Sequence, residues 1–261
     1  MESLEALALL AKEPSPGRVK TRLCPPLSTD QAARLCSCLL ADTAEELASL
    51  RGVRRFLFLD PPEAVARAAG GPFAGFERLP QHGRGLGERM LHAASLCSRR
   101  GARRVVIVGA DCPGLTAGRV RQAFRELRSG AGAVFGPSAD GGYYLLGLSS
   151  PDARLFEGIP WSTEAVLRDT AARCRAAGTP FSLLHRERDV EGLVHQGGVE
   201  VGVELGDLRG GENGDDVLDE PLALAPGSDD VGDAAHPEAG AGLELLEIGE
   251  PRGLAVVPVG T

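Results

Sequence analysis

The stretch Val105–Leu115, VVIVGADCPGL, is an apolar run long enough for one buried strand, and it empties into a loop carrying Asp111 and Pro113. Thr116 then reads as the N-cap of a helix whose buried stripe is Val120, Ala123, Phe124 and Leu127. Strand, short loop and amphipathic helix in succession are the mark of a β-α unit. The same alternation recurs in both directions. Strands are expected at Leu4–Ala11, Val53–Leu59, Arg103–Gly109, Ala133–Gly136, Tyr143–Leu148 and Phe181–His185. Helical stripes fall at Ala32, Leu35, Leu39, Leu40 and Leu47, at Leu86, Met90, Ala94 and Cys97, and from about Ser162 to Ala177. Residues 1–190 are therefore expected to form one α/β domain, a doubly wound and mostly parallel sheet, with no internal repeat.

Composition bounds what such a domain does. The chain has 261 residues, 43% hydrophobic and 25% charged, which excludes collagen, coiled coil and small disulfide-stapled scaffolds. Its apolar stretches fall well short of the ~20 residues of a membrane span, and the first ten residues hold two glutamates in place of a basic leader, so a cytoplasmic protein is expected. Six cysteines at irregular spacing, with no CxxC pair and no zinc-ligand spacing, read as reduced thiols packed like small hydrophobes. Net charge is −8, yet residues 191–261 hold 16 acidic and 2 basic side chains, so residues 1–190 keep 20 acidic and 26 basic ones. The basic front lacks interleaved aromatics, which points to a small anion and away from nucleic acid. The acidic extension has 15 glycines and no aromatic residue, and is expected to be disordered or weakly ordered, with Val199–Leu205 and Leu243–Ile248 as runs able to pair as strands. Its protein partner is not specified by the sequence.

Four stretches hold candidate chemistry. All basic residues but two are arginines, and both lysines, Lys12 and Lys20, lie in Lys12–Leu23 (KEPSPGRVKTRL), a loop leaving the first strand. Lys12, Arg18, Lys20 and Arg22 suit phosphate contacts, and Gly17 lets the backbone approach an anion. The Walker A spacing is absent. Asp111, at the carboxyl end of its strand, is placed either to hold Mg2+ or Mn2+ against a nucleotide diphosphate or to close an Asx turn. Asp140, Gly141 and Gly142 form a bend between two apolar runs, readable as a close backbone approach to ligand or as a hairpin turn. Trp161 in Ile159–Thr163 (IPWST) stands ready to stack on a sugar or base, or to pack in the core.

These stretches, together with Gln81–Met90 (QHGRGLGERM), resemble in order and approximate spacing a bacterial glycosyltransferase family, the radical-SAM/selenodomain-associated transferases linked in name to arsenosugar biosynthesis. That family is similar in turn to GT-A nucleotide-diphospho-sugar transferases and, more distantly, to guanylyltransferases. The resemblance spans about residues 5–190. It implies phosphate contacts from Lys12, Gly17, Arg18, Lys20 and Arg22, a base-side contact near Gly85 and Gly87, a metal at Asp111, and donor or acceptor contacts at Asp140, Gly141, Gly142, Trp161, Ser162 and Thr163. Where the family leads one to expect a DVDTxEDL-like segment, this chain reads DVEGLVHQ from Asp189. Asp189 remains as a second metal carboxylate, and the residues after it are expected to be a divergent or frame-shifted extension.

The leading expectation is a metal-dependent glycosyltransferase moving a sugar from a nucleotide-diphospho-sugar to a small acceptor, with Lys20, Asp111 and Asp140 as catalytic residues. The second is a nucleotidyltransferase, guanylyl- or cytidylyltransferase in type, joining an NTP to a phosphorylated small molecule. The third, of another class, is a non-catalytic nucleotide-binding protein.

Overall fold

Leucine and alanine alternate along β1 (Glu5–Lys12): Leu7, Leu9 and Ala11 face one side, Ala6 and Ala8 the other, and all five are buried. A strand buried on both faces belongs in the middle of a sheet covered on both sides. A computed structural model describes residues 4–25, 27–68, 70–188, 199–202 and 255–258. In it, β1 is joined by β2 (Arg54–Asp60), β3 (Phe76–Pro80), β4 (Arg104–Gly109), β5 (Ala133–Pro137), β6 (Tyr143–Leu148) and β7 (Phe181–Leu183) in one seven-stranded sheet of order β3-β2-β1-β4-β6-β5-β7. Only β6 in this sheet runs against its neighbours. The doubly wound, mostly parallel α/β fold is thus present, with one reversed strand.

Helices cover both faces. Leu40, Ala44 and Leu47 of α1 (Thr29–Ala48) and Val120, Ala123, Phe124 and Leu127 of α4 (Ala117–Arg128) pack on Leu7, Leu9, Leu57, Val106 and Val108. Opposite them, Met90, Ala93, Ala94 and Cys97 of α3 (Leu86–Arg99) and Cys174 of α5 (Val166–Ala176) pack on Ala6, Ala8, Phe56, Phe58 and Ile107. A single helical turn, α2 (Ala64–Arg67), follows β2. Capping follows local chemistry. Ser28 Oγ accepts from Gln31 N while Gln31 Oε1 accepts from Ser28 N, and Thr116 Oγ1 accepts from Arg119 N as its position implies. The last helix begins at Val166 and not near Ser162, because Ser162 sits at φ +66° and the Thr163 hydroxyl donates to Pro160 O.

Sequence periodicity misses β3. FERLP is short, charged and ends in proline, as suits an edge strand, and so lacks the apolar run that marks the others. The bend at residues 138–142 takes its hairpin reading. Asp140 Oδ1 accepts from Gly142 N at 3.0 Å, an Asx turn, and Ser138 N donates to Gly142 O at 3.0 Å. Beyond the domain, β8 (Val199–Gly202) pairs antiparallel with β9 (Ala255–Pro258), a partner the hydropathy pattern does not single out. Residues 203–205, the run Leu243–Ile248 and Asp189 lie outside the described residues. No disulfide joins the six cysteines, and no helix among the described residues is long and apolar enough to cross a membrane.

Gly141 lies at φ +86°, and a Cβ there would stand 2.2 Å from Glu164 O. Gly141→Ala is therefore expected to cost about 2–3 kcal/mol, read from the urea midpoint. His92 on α3 packs edge-on against Phe58 at 6.5 Å and against His82 at 4.8 Å. Burial, then the charges of His82 and Arg99, hold its pKa below the ordinary 6.5. The unfolded chain therefore takes this proton first as pH falls. His92's share of stability is complete above about pH 6.5 and is lost below it. His92→Phe is expected to flatten the decline of the urea midpoint between about pH 7 and 5.

Candidate functional site

The chain leaves β1 at Lys12 and turns at Gly17, φ +72°, where Arg18 N donates to Ser15 O at 3.0 Å. Val19 and Leu23 are buried and anchor the loop, while Lys12, Arg18 and Arg22 stay exposed at its surface. Lys20 between the anchors holds a left-handed backbone, φ +49°, and its side chain is only 5% exposed. Its Nζ lies 3.1 Å from Oδ1 of Asp111, whose own side chain is 61% exposed. The loop after β1 and the loop after β4 thus meet in a sunken ammonium under an open carboxylate. They meet because β1 and β4 are parallel neighbours, with Leu10 opposite Gly109, so both loops leave the same edge.

A second loop is tied to the first. The Gln81 side-chain amide donates to Ala11 O at 2.8 Å and to Phe58 O at 3.0 Å, bridging the ends of β1 and β2. Arg89 pairs with Asp60 at 3.0 Å and donates to Gly83 O and Gln81 Oε1. These two side chains fix the glycine-rich turn beside Lys12. The sequence marks the turn by its glycines but gives no sign of Gln81 or Arg89, whose partners lie on distant strands. Gly85 is exposed ahead of α3. Gly87 is buried, and a Cβ on it would stand 2.5 Å from the Trp161 indole, which also stacks on Phe156 at 6.3 Å. Trp161 therefore seats against the start of α3.

Asp140, Gly141 and Gly142 occupy the β5-β6 turn, and Leu167 N donates to Gly141 O at 2.9 Å, drawing the Trp161–Thr163 segment and α5 alongside. Ser162 and Thr163 are exposed there. On the other flank, the segment after β7 folds against the Asp111 loop. A Cβ on Gly114 would stand 2.4 Å from Glu187 Oε2, Arg119 pairs with Glu187 at 3.2 Å, and the Tyr144 hydroxyl donates to His185 O at 3.1 Å. Burial, followed by the Glu187 charge, pushes the Tyr144 hydroxyl up to about 12. A cleft of about 340 Å³ opens here, lined by Gly114, Arg186, Glu187 and Arg188. Glu187 and Arg119 are site neighbours that no local pattern discloses.

Residues 43–163 match the family described as "Uncharacterized protein conserved in bacteria (DUF2064)". The crystal structure of a "putative nucleotide-diphospho-sugar transferase" from Desulfovibrio desulfuricans G20 is 32% identical over 73% of this chain and 84% of that one, with a TM-score of 0.66. The chain belongs to the DUF2064 family. Two further solved structures that resemble this DUF2064 protein are more remote. One is 4-diphosphocytidyl-2C-methyl-D-erythritol synthase from Anaerococcus prevotii DSM 20548, 9% identical over 73% of this chain and 90% of that one, TM-score 0.43. Another is CMP:2-keto-3-deoxy-manno-octonic acid synthetase complexed with CTP, 11% identical over 69% and 89%, TM-score 0.40. No protein of curated function matches.

For a divalent cation, the loop after β4 offers the open carboxylate of Asp111. No cluster of three His, Cys, Asp or Glu side chains in metal-holding arrangement occurs among the described residues. A lone strand-end carboxylate at Asp111 would suit Mg2+ or Mn2+ only where a bound ligand supplied most of the oxygens, and not a cation caged by protein alone. Beside it, Cys36 on α1 is half-buried. Burial, then the Asp111 charge, pushes its thiol up to about 11 against the opposing charges of Lys20 and Lys12. Cys36 is therefore expected to react with iodoacetamide at pH 8 about a hundredfold more slowly than an ordinary thiol, as measured by mass spectrometry. Asp111→Asn is expected to speed that reaction by removing the neighbouring negative charge.

Proposed function

We propose that this protein transfers a glycosyl group from a nucleotide-diphospho-sugar to a small acceptor. The observation that carries the proposal is the contact of Lys20 with Asp111, which unites the phosphate-suited loop and the strand-end carboxylate at one point beyond the carboxyl ends of β1 and β4. The 32% identical structure, described as that of a "putative nucleotide-diphospho-sugar transferase", supports the donor class, as does the motif resemblance to radical-SAM/selenodomain-associated transferases.

In this reading the leaving diphosphate gathers negative charge as the glycosyl bond breaks, and Lys12, Arg18, Lys20 and Arg22 neutralise it, with Gly17 leaving room for the phosphates. Mg2+ or Mn2+ held at Asp111 would supply Lewis-acid neutralisation of the same oxygens, and Asp189, the second carboxylate expected from the sequence, lies outside the described residues. Gly85 and Gly87 stand on the base side. Asp140 holds or deprotonates the acceptor hydroxyl, and Gly141, Gly142, Trp161, Ser162 and Thr163 border the acceptor. Positioning and charge chiefly carry the rate.

A thermal-shift panel tests this, using UDP-sugars, GDP-sugars, GTP, CTP and ATP, each with and without Mg2+ or Mn2+. A metal-dependent rise in midpoint with a nucleotide-sugar, lost in Asp111→Ala, is the expected outcome. A rise with free triphosphates alone would replace glycosyl transfer by nucleotidyl transfer, and no rise with any ligand would overturn both.

A further inference from the structure

We propose that Lys20 is an internal counter-cation for Asp111, which a diphosphate must draw away before the carboxylate takes up a divalent cation. The proposal deepens the reading of Asp111 given above and rests on it. Lys20 Nζ lies against Oδ1 of Asp111 at 3.1 Å, and the ammonium is sunk to 5% exposure while the carboxylate stands open at 61%. A divalent cation approaching Asp111 from solvent therefore meets a positive charge a few ångströms behind the oxygens, in a position that water screens poorly. Free cation should bind weakly.

A diphosphate changes the balance. It brings negative oxygens to the basic loop and gives the Lys20 ammonium another partner, which releases Asp111 to the cation the diphosphate carries. The loop itself is pinned by buried Val19 on one side of Lys20 and buried Leu23 on the other, so the exchange falls to the Lys20 side chain. The residue type suits the exchange. Lysine presents a compact charge on a flexible stem with three donors, whereas a planar guanidinium would hold the carboxylate in a fixed fork. In a chain whose other basic residues are arginines, both lysines stand in this loop. The site would thus accept a metal–diphosphate complex and discriminate against the bare ion.

Equilibrium dialysis of Mn2+ against the full chain, with and without inorganic pyrophosphate, tests the exchange without any turnover. Wild-type protein is expected to retain Mn2+ weakly alone and more strongly with pyrophosphate; equal retention in the two conditions would overturn the proposal even if every variant failed to fold. Lys20→Asn suits the left-handed backbone and Lys20→Met keeps the stem. Each is expected to bind Mn2+ alone roughly tenfold more tightly than wild type. Asp111→Asn added to either is expected to abolish the gain. Unchanged affinity in both single variants, or a gain that survives Asp111→Asn, would overturn the proposal. Nucleotide-sugar thermal shifts on the same samples separate the two readings. A Lys20-dependent Mn2+ affinity without a nucleotide shift removes the donor assignment alone, and a nucleotide shift with Mn2+ affinity indifferent to Lys20 removes this proposal alone.

Discussion

Leu10 of β1 lies opposite Gly109 of β4, parallel and hydrogen-bonded, in the middle of the sheet. That pairing sets the arrangement beyond the strands' carboxyl ends, since parallel neighbours release their chains on the same side and bring two loops far apart in sequence into contact at Lys20 and Asp111. It holds because β1 is apolar on both faces. Its leucines pack under α1 and α4, and its alanines are small enough for α3 to lie close on the other side, with Phe56 and Phe58 filling the flank. A slip of one residue would exchange the leucine and alanine faces, so the same alternation that buries the strand also fixes where Lys12 emerges.

The central strands and four long helices are legible in the sequence because burial forces periodicity on them. β3 is not, since an edge strand with one covered side can carry Glu77 and Arg78 and end in Pro80. The reversed β6 was left open by the sequence: Asp140–Gly141 reads equally as a hairpin or as a ligand loop, and the choice is made by Glu164 and Leu167 closing over Gly141. At the site, Lys20 and Asp111 stand out singly, one as a rare lysine and the other as a strand-end carboxylate. Their contact does not, because it depends on a left-handed backbone at a non-glycine residue. Gln81, Arg89 and Glu187 are silent for a related reason, as each acts on a carbonyl, carboxylate or glycine contributed by another part of the chain.

Inserting β6 between β4 and β5 gives the sheet two halves that meet beside Asp111. On one side, β3, β2 and β1 carry the basic loop and the glycine-rich turn, bound to each other through Gln81. On the other, β6, β5 and β7 carry the 138–142 turn and the 184–188 segment, bound to the Asp111 loop through Glu187, Gly114 and Arg119. Asp111 lies in the loop that leaves β4 at the join, where Lys20 of the first half meets it while Gly114 of the same loop meets Glu187 of the second.

The seating of Trp161 on Gly87 has an optical side. The indole is the chain's single one, and it spans the joint between α3 and the segment leading into α5. Its emission therefore comes from one known position, with no second fluorophore of its kind to dilute it. Any ligand that shifts the glycine-rich turn must slide Gly87 beneath the ring and alter the solvent around it. The protein carries a built-in reporter at the joint between the glycine-rich turn and the segment that leads into α5.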